Sequence, residues 1–205
     1  MLTLGLDTAT DVATVALVRD DGAVLGERPS RAIRVLADAG ILLADAGVEP
    51  LAVGALVAGT GPGSYTGLRM GLAAARALAL SLAVPAAGIS TLAALAKGAD
   101  GAVPVVDARR GEVFTEEDGE PRVGPPDHLA VEPGRTYVGD GAVRYRAAIE
   151  GRGGLVPADE SSLHIPWARH HVALARASGS SHPLEPIYLR VPDAERSRVA
   201  GRLRV

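Results

Sequence analysis

Two turns in this sequence carry residue types that could handle a phosphate. "LGLDTAT" places Asp7, Thr8 and Thr10 just after an apolar run. An Asp-Thr turn at a strand end can hold a metal–phosphate, or cap its own backbone. "GTGPGSYTGLR" follows a second apolar run and opens a helix, so its free backbone N–H groups and the helix dipole would favour an anion. Gly63, Ser64 and Arg69 are the contact candidates there, with Asp7 and Thr8 opposite. A Walker loop needs Gly-Lys-Ser/Thr at the helix start, and this segment has Tyr65, Thr66 and Gly67 instead. The dinucleotide pattern also fails, because no acidic residue ends a second strand about 20 residues on. Both readings stay open: a nucleotide cradle, or a tight turn that aims the helix.

That helix, expected over 64–83, repeats small residues every fourth position at Gly67, Gly71, Ala75 and Ala79. Such a face lets another backbone approach closely, either the chain's own sheet or a second chain. Leu68, Leu72, Leu78 and Leu82 flank it, and Arg69 and Arg76 point the same way.

Other chemistries find less support. The five histidines (His128, His164, His170, His171 and His182) form neither the His-x-x-x-His nor the His-Glu-x-x-His spacing of a zinc site. Ser64 follows Pro62-Gly63 and does not sit in a Gly-x-Ser-x-Gly elbow. The chain has no cysteine, which excludes a disulfide framework, a thiolate metal site and a cysteine nucleophile. The C-terminal arginines Arg190, Arg196, Arg198, Arg202 and Arg204 read as a solvated tail, or as contacts to RNA phosphates.

The elements that must position these residues read as α/β. "LTLGLD" is a buried strand, and "VATVALVRDDGAVLGE" a hairpin that turns at Asp20-Asp21-Gly22. A helix follows over "SRAIRVLADAGILLADAGVEP", with Gly47 at its C-terminal cap. Then come a buried strand in "VGALVAGTGPG", the long helix, and a third helix capped by Ser90. A strand over Val103–Asp107 pairs with one over Gly111–Phe114. "TEEDGEPRVGPPDH" reads as loop, "RTYVGDGAVRYRAAIE" as strand, turn and helix, and "WARHHVALARA" as helix. "PLEPIYLR" is extended. The second half loosely repeats the first, giving lobes over 1–100 and 101–205 with a boundary near 98–102. With 205 residues, 47% hydrophobic and 3% aromatic, the core must be built of Ala, Val and Leu. The N-terminus lacks a signal-peptide pattern and no apolar run is long enough to span a bilayer, so a cytoplasmic protein is expected.

Five segments, in chain order, resemble the bacterial TsaB (YeaZ) family: "LGLDTAT", "GTGPGSYTGLRMGLAAARALAL", "GISTLAAL", "VDARRGEVF" and "PLEPIYLR". The resemblance runs over about the whole chain. It implies an actin/Hsp70/sugar-kinase-type fold of two ribonuclease-H-like lobes. It also implies a non-catalytic relative of TsaD. TsaD binds metal through a His-x-x-x-His pair, which this chain, with no histidine before His128, cannot supply. Family members pair with TsaD and, with TsaE and TsaC, allow threonylcarbamoyl transfer to adenosine 37 of tRNA. They form homodimers through overlapping helices. Carried onto this sequence, the family's pairing helix makes Gly67, Leu68, Gly71, Leu72, Ala75 and Ala79 the expected partner interface. No catalytic residue, metal or cofactor of the chain's own is implied, apart from ATP or ADP where it meets TsaD. The segments near 28–36 and 114–120 are shorter than the family's usual ones. The alternative is an ATP-dependent phosphotransferase or ATPase of the same fold, using Asp7 for metal–phosphate, Gly61 to Ser64 for the nucleotide, and Asp107 at a strand end. A peptidase is a third reading, without metal histidines to support it.

Overall fold

The computed structural model describes residues 1–178 and 183–190. Two mixed sheets carry the chain. The first has five strands, β1 (Leu2–Asp7), β2 (Ala13–Arg19), β3 (Val24–Ser30), β4 (Val53–Gly59) and β5 (Ala86–Ile89), in the order β3-β2-β1-β4-β5. β1, β2 and β3 are antiparallel, while β4 pairs parallel with β1 and β5 parallel with β4. The second has four strands, β6 (Val103–Arg109), β7 (Glu112–Glu117), β8 (Glu120–Gly124) and β9 (Tyr137–Val138), in the order β8-β7-β6-β9. Again the first two connections are antiparallel and the crossover strand is parallel.

Alternation along the strands sends side chains to two different helical layers. Val15 and Leu17 of β2 join the core under α1 (Val35–Asp45) and α2 (Tyr65–Leu82). Ala16 and Val18 of the same strand pack on α6 (Ala168–Ser178) through Ala168 and Val172. Gly5 is needed there: a Cβ on it would stand 2.8 Å from Val172 Cγ2 and 2.9 Å from the Ala168 carbonyl oxygen. In the second sheet, one face packs on Ala142 of α4 (Asp140–Arg144) and Ile149 of α5 (Arg146–Glu150). The other packs on Leu92 and Leu95 of α3 (Thr91–Gly98). The helices therefore cross the boundary drawn near 98–102. α3 precedes it but covers the second sheet, and α6 follows it but covers the first.

Several expected details have a direct structural cause. Gly47, at φ 63°, follows α1 in a Schellman arrangement, with Val48 N–H on the Leu43 carbonyl at 2.9 Å and Gly47 N–H on that of Ala44 at 3.0 Å. Ser64 and Ser90 accept hydrogen bonds from the Gly67 and Ala93 amides, capping α2 and α3. Two strands correct the sequence reading. The "TEEDGEPRVG" stretch is a hairpin and not a loop: Asp118 and Gly119 both have positive φ (53° and 78°), the geometry of a type I′ turn. Pro121 is tolerated because β8 is an edge strand. β5 comes from "AAGI", a short run whose small apolar residues show no alternation. The helix expected in "RTYVGDGAVRYRAAIE" is split into α4 and α5 at Tyr145. Among the described residues, no helix is long and apolar enough to cross a membrane.

Candidate functional site

α2 has two unlike faces. The small-residue face is turned inward. A Cβ on Gly67 would lie 2.1 Å from the Thr8 carbonyl oxygen, and one on Gly71 2.0 Å from Thr8 Oγ1. Thr8 Oγ1 donates to the Gly67 carbonyl at 2.8 Å. Leu68, Leu72 and Ala75 are buried with it, and Ala79 packs half-buried on the same core. Five of the six residues expected to meet a partner are therefore covered by the chain's own β1 turn and sheet, and Ala79 is covered in part. Small side chains allow close approach, and here the approaching backbone is internal. The outward face carries Arg69, Ala73, Arg76, Ala77 and Leu80, the last 84% exposed. Ile33, 81% exposed, lies in a 3-10 turn that packs against α2, and Leu36 of α1 is half-exposed.

The Asp7 turn is closed. Asp7 is fully buried. Its Oδ1 accepts the Ala9 amide at 2.7 Å. Its Oδ2 accepts Thr91 Oγ1–H at 2.7 Å and lies 2.8 Å from Nε2 of the buried His171 on α6. The other ring nitrogen of His171 lies 3.2 Å from the Trp167 carbonyl oxygen. The fold class implies a metal–nucleotide at this strand end, and these residues do not fit one, since both carboxylate oxygens already have internal partners. The Gly-rich loop is engaged as well. The Ser64 amide donates to the Ala9 carbonyl at 2.7 Å, the Thr60 amide to Ile89 at 2.8 Å, and the Gly61 carbonyl accepts the Thr91 amide at 2.7 Å. A Cβ on Gly63 would stand 2.3 Å from the Ala9 oxygen. The loop is a tight turn packed on its neighbour. Arg69 leans outward over the Tyr65 ring and donates to its hydroxyl at 3.1 Å.

The cleft between the two sheets lies beyond this turn. A cavity of about 390 Å³ is lined by Ser64, Tyr65, Asp107, Arg109, Asp140 and Tyr188, among others. Of the phosphate candidates only Gly63 and Ser64 reach it; Asp7, Thr8 and Arg69 do not. Asp107 stands two residues before the end of β6, and its Oδ1 accepts the Arg109 amide at 2.9 Å. Its Oδ2 is 3.0 Å from Arg109 Nη1 and 3.7 Å from Arg144 Nε. Asp140, at the start of α4, accepts the Asp107 amide at 2.9 Å. Burial, with the charges of Asp107 and Asp11 beside it, pushes the Asp140 carboxyl up to about 6. Asp11 reaches across the cleft to pair with Arg109 at 2.5 Å.

The sequence signalled Asp7, Asp107 and the Gly-rich loop, but not His171, Thr91 or Asp140 as their partners. Those contacts join residues far apart in the chain, and local pattern does not encode them. His164 is fixed by the Gly139 amide at 3.1 Å and by two carbonyl oxygens, those of Pro157 and Ala158. Among the described residues, no three His, Cys, Asp or Glu side chains stand where they could hold a metal ion. His182, Arg196, Arg198, Arg202 and Arg204 lie outside the described residues.

Comparison with known proteins agrees with this architecture. A family described as "TsaD: tRNA N6-adenosine threonylcarbamoyltransferase" matches residues 30–128. An uncharacterized protein of Mycobacterium tuberculosis is 37% identical over 203 residues, covering 94% of this chain and 93% of its own. The tRNA threonylcarbamoyladenosine biosynthesis protein TsaB of Bacillus subtilis is 37% identical over 124 residues, 56% of this chain and 54% of its own length. The structure of YeaZ from Pseudomonas aeruginosa superposes with a TM-score of 0.76 at 29% identity, over 92% of this chain and 99% of that one. The ethanolamine utilization protein EutJ from Carboxydothermus hydrogenoformans shares the fold at 10% identity (TM-score 0.51, covering 83% and 89%). With two mixed sheets on the actin/Hsp70/sugar-kinase plan, a YeaZ structure that superposes over 92% of it and TsaB relatives that match 56–57% of it, the chain belongs to the TsaB (YeaZ) family.

Proposed function

We propose that this chain serves tRNA threonylcarbamoyladenosine biosynthesis as a non-catalytic subunit that pairs with TsaD through the outward face of α2. Its relatives' names supply the pathway. The observation that carries the pairing is Leu80, 84% exposed on a helix whose opposite face is fully engaged by the chain itself. An exposed leucine beside Ala73, Ala77 and two arginines suits an apolar contact rimmed by charge. The closed Asp7 turn supports a subunit without chemistry of its own. TsaE and TsaC would act on the same pathway without touching this face, and the tRNA would be reached through TsaD. In the absence of TsaD the same face would hold a second copy of the chain.

The test is co-purification with TsaD, followed by mass measurement in solution. Leu80→Glu and Ala77→Glu should each weaken the complex at least about tenfold while leaving thermal stability within a degree or two. A complex of unchanged affinity would overturn this choice of face. Gly71→Arg is not a useful probe, because its side chain would enter the Thr8 turn.

One observation favours a second reading. The cleft retains Asp107 and Asp140 beside Arg109 and Arg144, charges that could serve an ATP-dependent phosphotransferase. Sub-micromolar binding of Mg-ATP by the isolated chain, lost in Asp107→Asn, would favour it.

A further inference from the structure

Residues 183–190, in neither helix nor strand, run from one lobe to the other, and Ile187 to Arg190 line the cleft. On the first lobe, the Pro183 carbonyl lies so close to β5 that a Cβ on Gly88 would stand 2.4 Å from its oxygen. Leu184 packs on the first-lobe core, and its carbonyl accepts a hydrogen bond from Arg76 of α2. The Ile187 amide donates to the Thr60 carbonyl at 2.8 Å. The Tyr188 ring leans on Tyr65, with centroids 5.2 Å apart. On the second lobe, Leu189 packs on the core formed by α3 and β6. Arg190 donates to the Ala108 carbonyl at 3.0 Å and pairs with Glu112 of β7.

We infer that residues 183–190 form a strap that sets the position of one lobe against the other, and with it the width of the cleft. Each end is anchored by one apolar side chain and one arginine contact, on different sheets. Only a few residues separate the two anchors, and a segment so short has little reach to spare, so a change in lobe angle must break a contact at one end. α3 and α6 also join the lobes, but they lie away from the cavity lining, whereas Ile187 to Arg190 are part of it. Gly88 supports the assignment independently, since the strap backbone occupies the space a side chain there would fill. This inference goes beyond the proposed pairing and does not depend on it.

The absence of cysteine makes the test direct. Single cysteines placed at the exposed positions Asp45 and Arg122, one on each lobe, carry spin labels for distance measurement in the full chain. With the strap intact, one narrow distance distribution is expected. In the double variant, Arg190→Gln removes the arginine contacts to the second lobe and Tyr188→Ala the ring contact to Tyr65 of the first; Leu184→Asp removes the first-lobe anchor. Either should speed amide exchange at Ile187 by about tenfold or more and broaden or shift the inter-lobe distances by several ångström. The Tyr188/Arg190 variant changes no fully buried side chain, so it reports even if Leu184→Asp does not fold. Freed exchange at Ile187 with an unchanged distance distribution would overturn the inference.

Discussion

Asp7 ends β1, Asp107 stands two residues before the end of the corresponding strand β6, and both make the same local hydrogen bond. Each carboxylate accepts the amide two residues on, at 2.7 and 2.9 Å. Beyond that bond they differ. The Asp7 turn is clamped on three sides, by Thr91 of α3, His171 of α6, and Gly67 and Gly71 of α2 through Thr8. The Asp107 turn opens on the cleft, and its arginine partners are more than half exposed. One motif thus serves as a structural pin in the first lobe and as part of a solvent-reachable charged site in the second. The lesson is that an aspartate at a strand end is not functional by itself. What packs against its second oxygen decides.

The comparison can be broken most forcefully at His171. His171→Ala would leave the Asp7 carboxylate buried with a partner lost and a void beside β1, an expected loss of about 3–5 kcal/mol in denaturant unfolding. A loss under about 1 kcal/mol would mean that the turn is not clamped from α6. Gly67→Ala comes next. Its methyl meets backbone at Thr8 and cannot be accommodated by a rotamer change, so about 1–3 kcal/mol should be lost. Ala77→Leu, on the outward face of the same helix, should be neutral within about 0.5 kcal/mol.

Asp140 sharpens the contrast by pH. Its carboxyl ionises near 3.8 in an unfolded chain and near 6 in the folded one. The folded state therefore holds the proton more tightly, and stability is lost as pH rises from about 4 through about 6. Asp140→Asn should remove that loss, raising stability at pH 7 by about 1–3 kcal/mol and flattening the profile of melting temperature against pH over this window. His170 acts in the opposite sense over an overlapping range. Burial, with Arg169 beside it, lowers it to about 4, so stability falls as pH drops below 6.5. The Asp140 effect is best read in a His170→Gln background. Asp107→Asn should cost far less than His171→Ala, about 1 kcal/mol or less in thermal unfolding, because its guanidinium partners are largely solvated. A larger cost than that of His171→Ala would reverse the comparison.

Much of the fold was legible in the sequence. β1 and the hairpin show in alternating apolar runs around Asp21-Gly22, α2 in its caps and period, and Gly47 and Ser90 in their places at helix ends. β5 was not legible, because a four-residue parallel strand of small side chains has neither length nor alternation. β8 was missed because charge and proline, which suit an exposed edge, also mark loops; its Asp118-Gly119 turn was the available signal. At the candidate site, the sequence named Asp7, Asp107, the Gly-rich loop and a close-packing face on α2.

By itself, then, the sequence determined the element types, the local turn at each aspartate, and the requirement that something approach the Gly67–Gly71 face closely. These follow from backbone geometry and side-chain size within a few residues. Only the tertiary structure decided that the approaching group is Thr8 of the same chain, that His171 occupies Asp7, and that Leu80 is left facing outward. The physical reason is that each of these is a contact between distant segments, set by how helices cross two sheets, and a face that fits any backbone carries no record of which one it meets.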